Sequence, residues 1–329
     1  MSGDESEERE PNVAVQVLQT VTPRAIRKSF ALKFGLVLAI MAISIGGIGL
    51  AATDTISQQT EQRTTQQFES SAAQQANTVE EWVQNKRLTT QLYSTERDWS
   101  GSDTETLTPS LAAIQTARED IVSIHIVDNT SDGPQIAAST TMDGGDRLTT
   151  NGPRGFFITK SQRLAGLDPS GVYKSDTYET GGEQVVGFIS KTNTGINRTR
   201  YLFIEVSIAE LRGSLQSSGP REAIVVDESS YRVMVSSAVN ETLSPYATSQ
   251  AAREPVRKAA ELRNTNNESG VIARMDPDSE VIDEPYTVGY SPVSDTDWVV
   301  LTQAPRGSVF GFVQTISNWG LFATIAAVL

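Results

Sequence analysis

Residues 285–303, PYTVGYSPVSDTDWVVLTQ, decide the fold class. The runs 285–290 and 297–303 are rich in Tyr, Val, Thr and Trp, which suit a pleated, half-buried surface, and a Pro- and Asp-bearing segment parts them. The same texture recurs upstream at 121–128 (IVSIHIVD), 184–190 (QVVGFIS), 200–206 (RYLFIEV), 222–227 (EAIVVD) and 231–236 (YRVMVS), with Gly, Asn and Asp turns between the runs. Helical patterns interrupt near 106–118 and 249–262. The order predicts an α+β domain of antiparallel sheet with flanking helices, in two modules that divide near Ser218-Gly219-Pro220.

N-terminal to these strands the period changes from 2 to 3.6. Residues 54–95 read as one long amphipathic helix with an apolar stripe at Phe68, Ala72, Ala76, Val79 and Val83. Such a helix reaches roughly 60 Å, and its narrow stripe suits either the domain that follows or a second copy of the chain, which makes a homodimer an expectation.

Two apolar segments bracket the polar region. Residues 34–52 (FGLVLAIMAISIGGIGLAA) carry no charge and would span roughly 28 Å as a helix, the thickness of a bilayer core. Arg24, Arg27, Lys28 and Lys33 precede the segment while Asp54 and Glu61 follow it, so the positive-inside rule keeps residues 1–33 in the cytoplasm and sends the next domain outside. A cleavable leader ending near Ala52 is the alternative, set against a 33-residue lead-in. Residues 309–329 (VFGFVQTISNWGLFATIAAVL) read as a returning second membrane helix whose few polar residues face a partner helix. Four N-x-S/T sequons, at Asn129, Asn197, Asn240 and Asn267, all fall between the two segments, as external glycosylation would require. The 329 residues include no cysteine, so the external domain is held by its core without disulfides.

The formal charge is −13. The first 33 residues balance five acids with five bases, so the excess lies in the external region. Nucleic acid is thereby excluded as a partner. Lysine is scarce against arginine, and so acidic a surface is tolerated where concentrated salt screens it, which points to a halophile, an archaeon.

The succession of a long helix, VYKSDTYETGGEQVVGFISKT (172–192), YLFIEVSIAEL (201–211), EAIVVDESSYRVMVSS (222–237) and YTVGYSPVSDTDWVVLTQAPRGSVF (286–310) resembles double-Cache sensor domains. The whole chain resembles the N-terminal part of a haloarchaeal methyl-accepting chemotaxis transducer. The resemblance implies a membrane-anchored fold of PAS-like antiparallel sheets behind a long N-terminal helix, flanked by two transmembrane helices. Its organisation would be a cytoplasmic segment 1–33, membrane helix 34–52, stalk 53–79, distal module 80–217, proximal module 218–308 and membrane helix 309–329. It also implies partners: a small-molecule ligand outside, membrane lipid, a second copy of the chain, and a chemotaxis kinase with its coupling protein acting through a cytoplasmic part beyond Leu329. The same sensor joined to a histidine kinase, or a transducer driven by a partner membrane protein, are the rival readings.

Amino-acid-binding relatives carry an Arg-x-Trp-Tyr element, a later Tyr and an acid near the last strand of the distal module. The matching residues here are Arg154, Phe156 and Phe157, then Tyr178 and Glu205. An arginine fork would hold a ligand carboxylate, Glu205 would accept an ammonium and the aromatics would wall the pocket. The chain departs from the pattern where Phe156-Phe157 replaces Trp-Tyr and Thr149 stands where a tyrosine is expected. Tyr173, Asp176 and the sole histidine, His125, are secondary candidates, and His125 on an alternating strand reads first as a hydrogen-bonded structural residue. No G-x-S-x-G, P-loop, paired zinc ligands or cysteine nucleophile occurs, so neither an enzyme nor a cofactor is expected. The acids at 276–284 read as a solvated loop, because Val281 and Thr287 occupy the glycine and glutamate positions of a calcium loop.

Overall fold

The computed structural model describes residues 30–311 apart from short stretches at 97–98, 100–103, 169, 193–198, 216–219, 238–241, 266 and 279–280. It divides into two units, Met1–Glu61 with Phe310–Leu329, and Gln62–Val309. Both sheets belong to the second unit.

Helix α1 (Phe30–Glu96) continues from the first apolar segment into the amphipathic stretch without a break. Among the described residues no helix is long and apolar enough to cross a membrane. Few side chains of 34–52 belong to the described residues, and 312–329 lie outside them. Asn197 and Asn240 also lie outside, whereas Asn129 and Asn267 are exposed.

After α1 come α2 (Thr104–Thr116), β1 (Ile121–Thr130), β2 (Gly133–Ser139), the short helices α3 (Phe156–Thr159) and α4 (Ser161–Ala165), β3 (Val172–Thr180), β4 (Glu183–Lys191), β5 (Thr199–Ser207) and α5 (Ala209–Ser214). The second half adds β6 (Glu222–Asp227), β7 (Val233–Ser236), α6 (Glu254–Leu262), β8 (Gly270–Met275), β9 (Tyr286–Pro292) and β10 (Trp298–Pro305). Two five-stranded antiparallel sheets result, in the orders β2-β1-β5-β4-β3 and β7-β6-β10-β9-β8. The expected α+β architecture is present. The chain leaves β10 into helical residues 306–311.

Each sheet sorts its side chains by the two-residue period of a strand. Leu202, Ile204 and Val206 of β5 join Ile124, Ile126, Val186 and Phe188 in a core under α1 and α2 that also takes in Val225, Trp298 and Val300 of the second sheet. Tyr201 and Phe203 point the other way, into an aromatic layer with Val127, Ile136, Phe157 and Ile189. The second sheet's opposite face packs on α6 through Val256 and Ala259.

The α1 stripe expected to meet either the domain or a second copy meets the domain. Phe68, Ala72, Ala76, Val79 and Val83 are all buried within the single chain, so the stripe gives no ground for a dimer. Helix and sheet approach closely enough that a Cβ on Gly289 of β9 would lie 2.2 Å from the Phe68 carbonyl oxygen. Further along, Lys86 binds Asp120 at 2.7 Å and Glu210 at 3.0 Å, tying α1 to the base of β1 and to α5.

A buried carboxylate and its donors

The sequence candidates converge on Glu205. Strand pairing sets Ser123 of β1 opposite Glu205 of β5, with Gly187 of β4 on its other side. Gly187 leaves room that no other residue would, because a Cβ there would stand 2.6 Å from the Phe203 ring and 3.3 Å from the Tyr178 hydroxyl. Tyr173 and Tyr178, five residues apart, would face opposite ways on a regular strand. A bulge between Lys174 and Thr177, where β3 carries one residue more than β4, turns both to the face of Glu205.

The Glu205 carboxylate is wholly buried and saturated with donors. Arg154, in the turn before α3, grips it with a fork, Nε to Oε1 at 2.8 Å and Nη2 to Oε2 at 2.6 Å. The Tyr178 hydroxyl donates to Oε1 at 2.5 Å, and His125 Nε2 lies 3.1 Å from Oε2. The Ser123 hydroxyl donates to Oε2 as well. Arg154 also reaches Thr180 Oγ1 at 3.1 Å and the Met142 sulfur.

His125 is both structural and part of this cluster. Ser139 Oγ accepts the Thr141 and Met142 amides, which leaves its own proton for His125 Nδ1, 2.8 Å away. The neutral ring then carries its proton on Nε2, toward Glu205. Burial lowers the His125 pKa against the raising influence of Glu205. For Glu205 burial acts to raise the pKa, but the hydrogen bonds from His125 and Arg154 and their charges outweigh it and bring the value down to about 2. Tyr178 is raised well above the usual phenol value by burial and by Glu205.

Around these groups Phe156 packs against Tyr173, Tyr178 and Phe203, and Phe157 against Tyr201 and Phe203. Arg163 stacks on Tyr173, whose pKa burial pushes up to about 12. Asp176 stands apart, exposed at the bulge. Arg154 and Glu205, expected to meet the two charges of a zwitterion, bind each other, a contact the sequence did not reveal. Sequence reading also missed Ser123, Thr180 and Gly187, whose roles follow from strand register, and nothing in their residue types alone marks them.

This fold is that of extracellular sensor domains. It superposes on the extracellular domain of a candidate histidine kinase with a TM-score of 0.54 at 14% identity, covering 77% of this chain and 98% of the other. The ligand-binding domain of the Pseudomonas aeruginosa amino acid chemoreceptor PctB, in complex with L-Gln, gives 0.51 at 15% identity, covering 77% and 96%. The homologues are haloarchaeal transducer proteins: BasT of Halobacterium salinarum is 24% identical over 308 residues, 92% of this chain and 36% of that protein, and CosT of the same species is 24% identical over 302 residues, 88% and 36%. The chain therefore spans about a third of the length of these curated relatives. No family model matches it. The resemblance read from the sequence agrees with these relatives.

Proposed function

We propose that this chain is the sensory segment of a membrane-spanning chemotaxis transducer, and that a small external ligand acts by splitting the Arg154–Glu205 pair. The supporting observation is the donor set around Glu205: a fork, a phenol, an imidazole and a hydroxyl gathered on one buried carboxylate, roofed by aromatic side chains. A ligand carboxylate would take over the Arg154 fork, and a ligand amine would take Glu205 from it. In either case a pair already satisfied exchanges one partner, so two states of similar energy differ in geometry, as a switch requires.

On this reading residues 1–33 are cytoplasmic, 34–52 and 309–329 cross the membrane, and the first and second sheets form the distal module, 80–217, and the proximal module, 218–308. The transducer relatives support a chemotaxis output through kinase and coupling partners; the likeness to a histidine-kinase domain keeps a kinase output as the second reading. Reading the coding sequence beyond Leu329 separates the two, since methylation helices and a phosphoacceptor histidine helix are distinct.

The test is thermal melting of the chain in molar salt with L-glutamine, putrescine or succinate, which offer a zwitterion, a diamine and a dicarboxylate. A concentration-dependent rise with one of them, lost in Arg154→Ala for succinate or in Glu205→Gln for putrescine, and in either variant for L-glutamine, supports the proposal, because a ligand that prefers the folded state stabilises it. A cooperative transition that none of the three moves counts against small-molecule sensing of these classes and turns attention to a partner protein.

A further inference from the structure

Strand β3 has two ends with different business. Tyr178 near its C-terminal end donates to Glu205, while Lys174, on the other side of the bulge, faces away from that cluster and pairs with Phe188 of β4, a residue of the core under α1. The Lys174 ammonium lies over the Trp298 ring, 3.6 Å from its centroid, and Trp298 is fully buried at the start of β10. This contact joins an edge strand of the first sheet to the central strand of the second. Beyond Pro305, β10 passes directly into helical residues 306–311, where the chain leaves the second sheet.

We propose that β3 is the coupling element between the Glu205 cluster and the second sheet, its bulge converting loss of the Tyr178–Glu205 bond into displacement of Lys174 from Trp298. A bulge is the place where a strand can change its local twist with least disturbance of the ladder on either side, since the extra residue is already unpaired. Lys174 is held by few bonds besides the ring: its ammonium donates to the Ser175 carbonyl at 3.0 Å, itself within the bulge. A movement of the bulge therefore acts on both of these contacts at once. Trp298 in turn fixes the turn before β10, where Val293 N donates to the Trp298 carbonyl and Arg87 of α1 donates to the Asp295 carbonyl at 2.8 Å. The inference rests on side-chain placement and holds whichever ligand the cluster takes, so a negative ligand screen leaves it standing.

The experiment is hydrogen exchange on the 329-residue chain in detergent, with Glu205→Gln serving in place of the unidentified ligand. In the native background the substitution is expected to change exchange in peptides covering 293–305 by about 5-fold or more, the low end of usual coupling between sites. In a Lys174→Met background the change is expected to vanish, and Lys174→Arg, whose guanidinium also stacks on an indole, is expected to restore it. A merely structural lysine would shift exchange by itself without altering the response to Glu205→Gln. An equal response in the native and Lys174→Met backgrounds, or none at 293–305 in either, overturns the proposal. If Glu205→Gln does not fold, Tyr178→Phe, which removes a single bond to Glu205, replaces it with the same expected outcomes.

Discussion

Glu205 is an acid that the fold keeps ionised where burial alone would neutralise it, and replacing it tests what the surrounding donors are for. Glu205→Gln leaves Arg154 buried without its counter-ion and is expected to cost about 3 kcal/mol, the scale for breaking one side of a buried pair, measured by urea unfolding. The freed fork should bind succinate more tightly and putrescine more weakly than native chain does; the opposite order in calorimetry would contradict the assigned roles. Acid has a definite sign here. Glu205 has a folded pKa near 2 against 4.5, so its contribution is complete above 4.5 and is lost as pH falls toward 2. His125, lowered by burial from 6.5, works in the same direction from a higher starting point: the unfolded chain takes up the proton first, and stability declines as pH drops below 6.5. Melting curves between pH 7.5 and 4 should fall throughout, and His125→Gln should flatten the upper part. At the other end, burial lowers Lys174 to about 7, against the raising influence of Asp176, Asp227 and Asp297 and with Arg87 acting in the same sense as burial. Its share of stability therefore grows from pH 7 toward 10.5, and Lys174→Met should remove that slope.

At the scale of elements, what could be read from the sequence divides by position in the sheet. The central strands β1, β4, β5, β6, β9 and β10 were all legible, because both faces are buried and their runs of Val, Ile and Phe are dense. Of the four edge strands, β7 was read because all four of its residues are buried, and β2, β3 and β8 escaped. Most residues of these three are only partly buried, and VYKSDTYET in β3 hides its alternation behind the bulge. The candidate site followed the same division. Arg154, Tyr178 and Glu205 carry recognisable chemistry, but that the two charges meet depends on pairing Gly187 and Ser123 with Glu205 across strands distant in sequence. Two glycines allow a test at this level. Gly187→Ala should drive the Phe203 ring and Tyr178 hydroxyl aside and weaken binding of whatever ligand the cluster takes. Gly289→Ala should meet backbone instead of a movable side chain and lower the melting temperature more, by about 2 kcal/mol in stability as for other overpacked cores. Comparable melting of both variants would argue that α1 yields easily.

For the whole molecule, the core under α1 and α2 is continuous across the two sheets, from Ile124 and Phe188 to Val225 and Trp298. Calorimetry should therefore record one cooperative transition for residues 62–309; two resolved transitions would mean that the sheets unfold separately despite their shared core. That transition should also depend on salt. A formal charge of −13 concentrated outside the apolar segments repels itself over about 10 Å in 0.1 M salt and about 3 Å in 1 M, so the melting temperature should climb with potassium chloride well into the molar range.

The extra residue in β3 also bears on how related sequences are read. Removing one codon at Asp176, an exposed position, would restore an even pleat with the two tyrosines four residues apart and both still facing Glu205, so every residue of the cluster would remain in place while the bulge that separates it from Lys174 was lost. Among transducers of this kind, a five-residue interval between the two tyrosines is thus the sign of the bulge, which the tyrosines themselves do not carry. A comparison that scores identities and treats single gaps as cheap would overlook the difference.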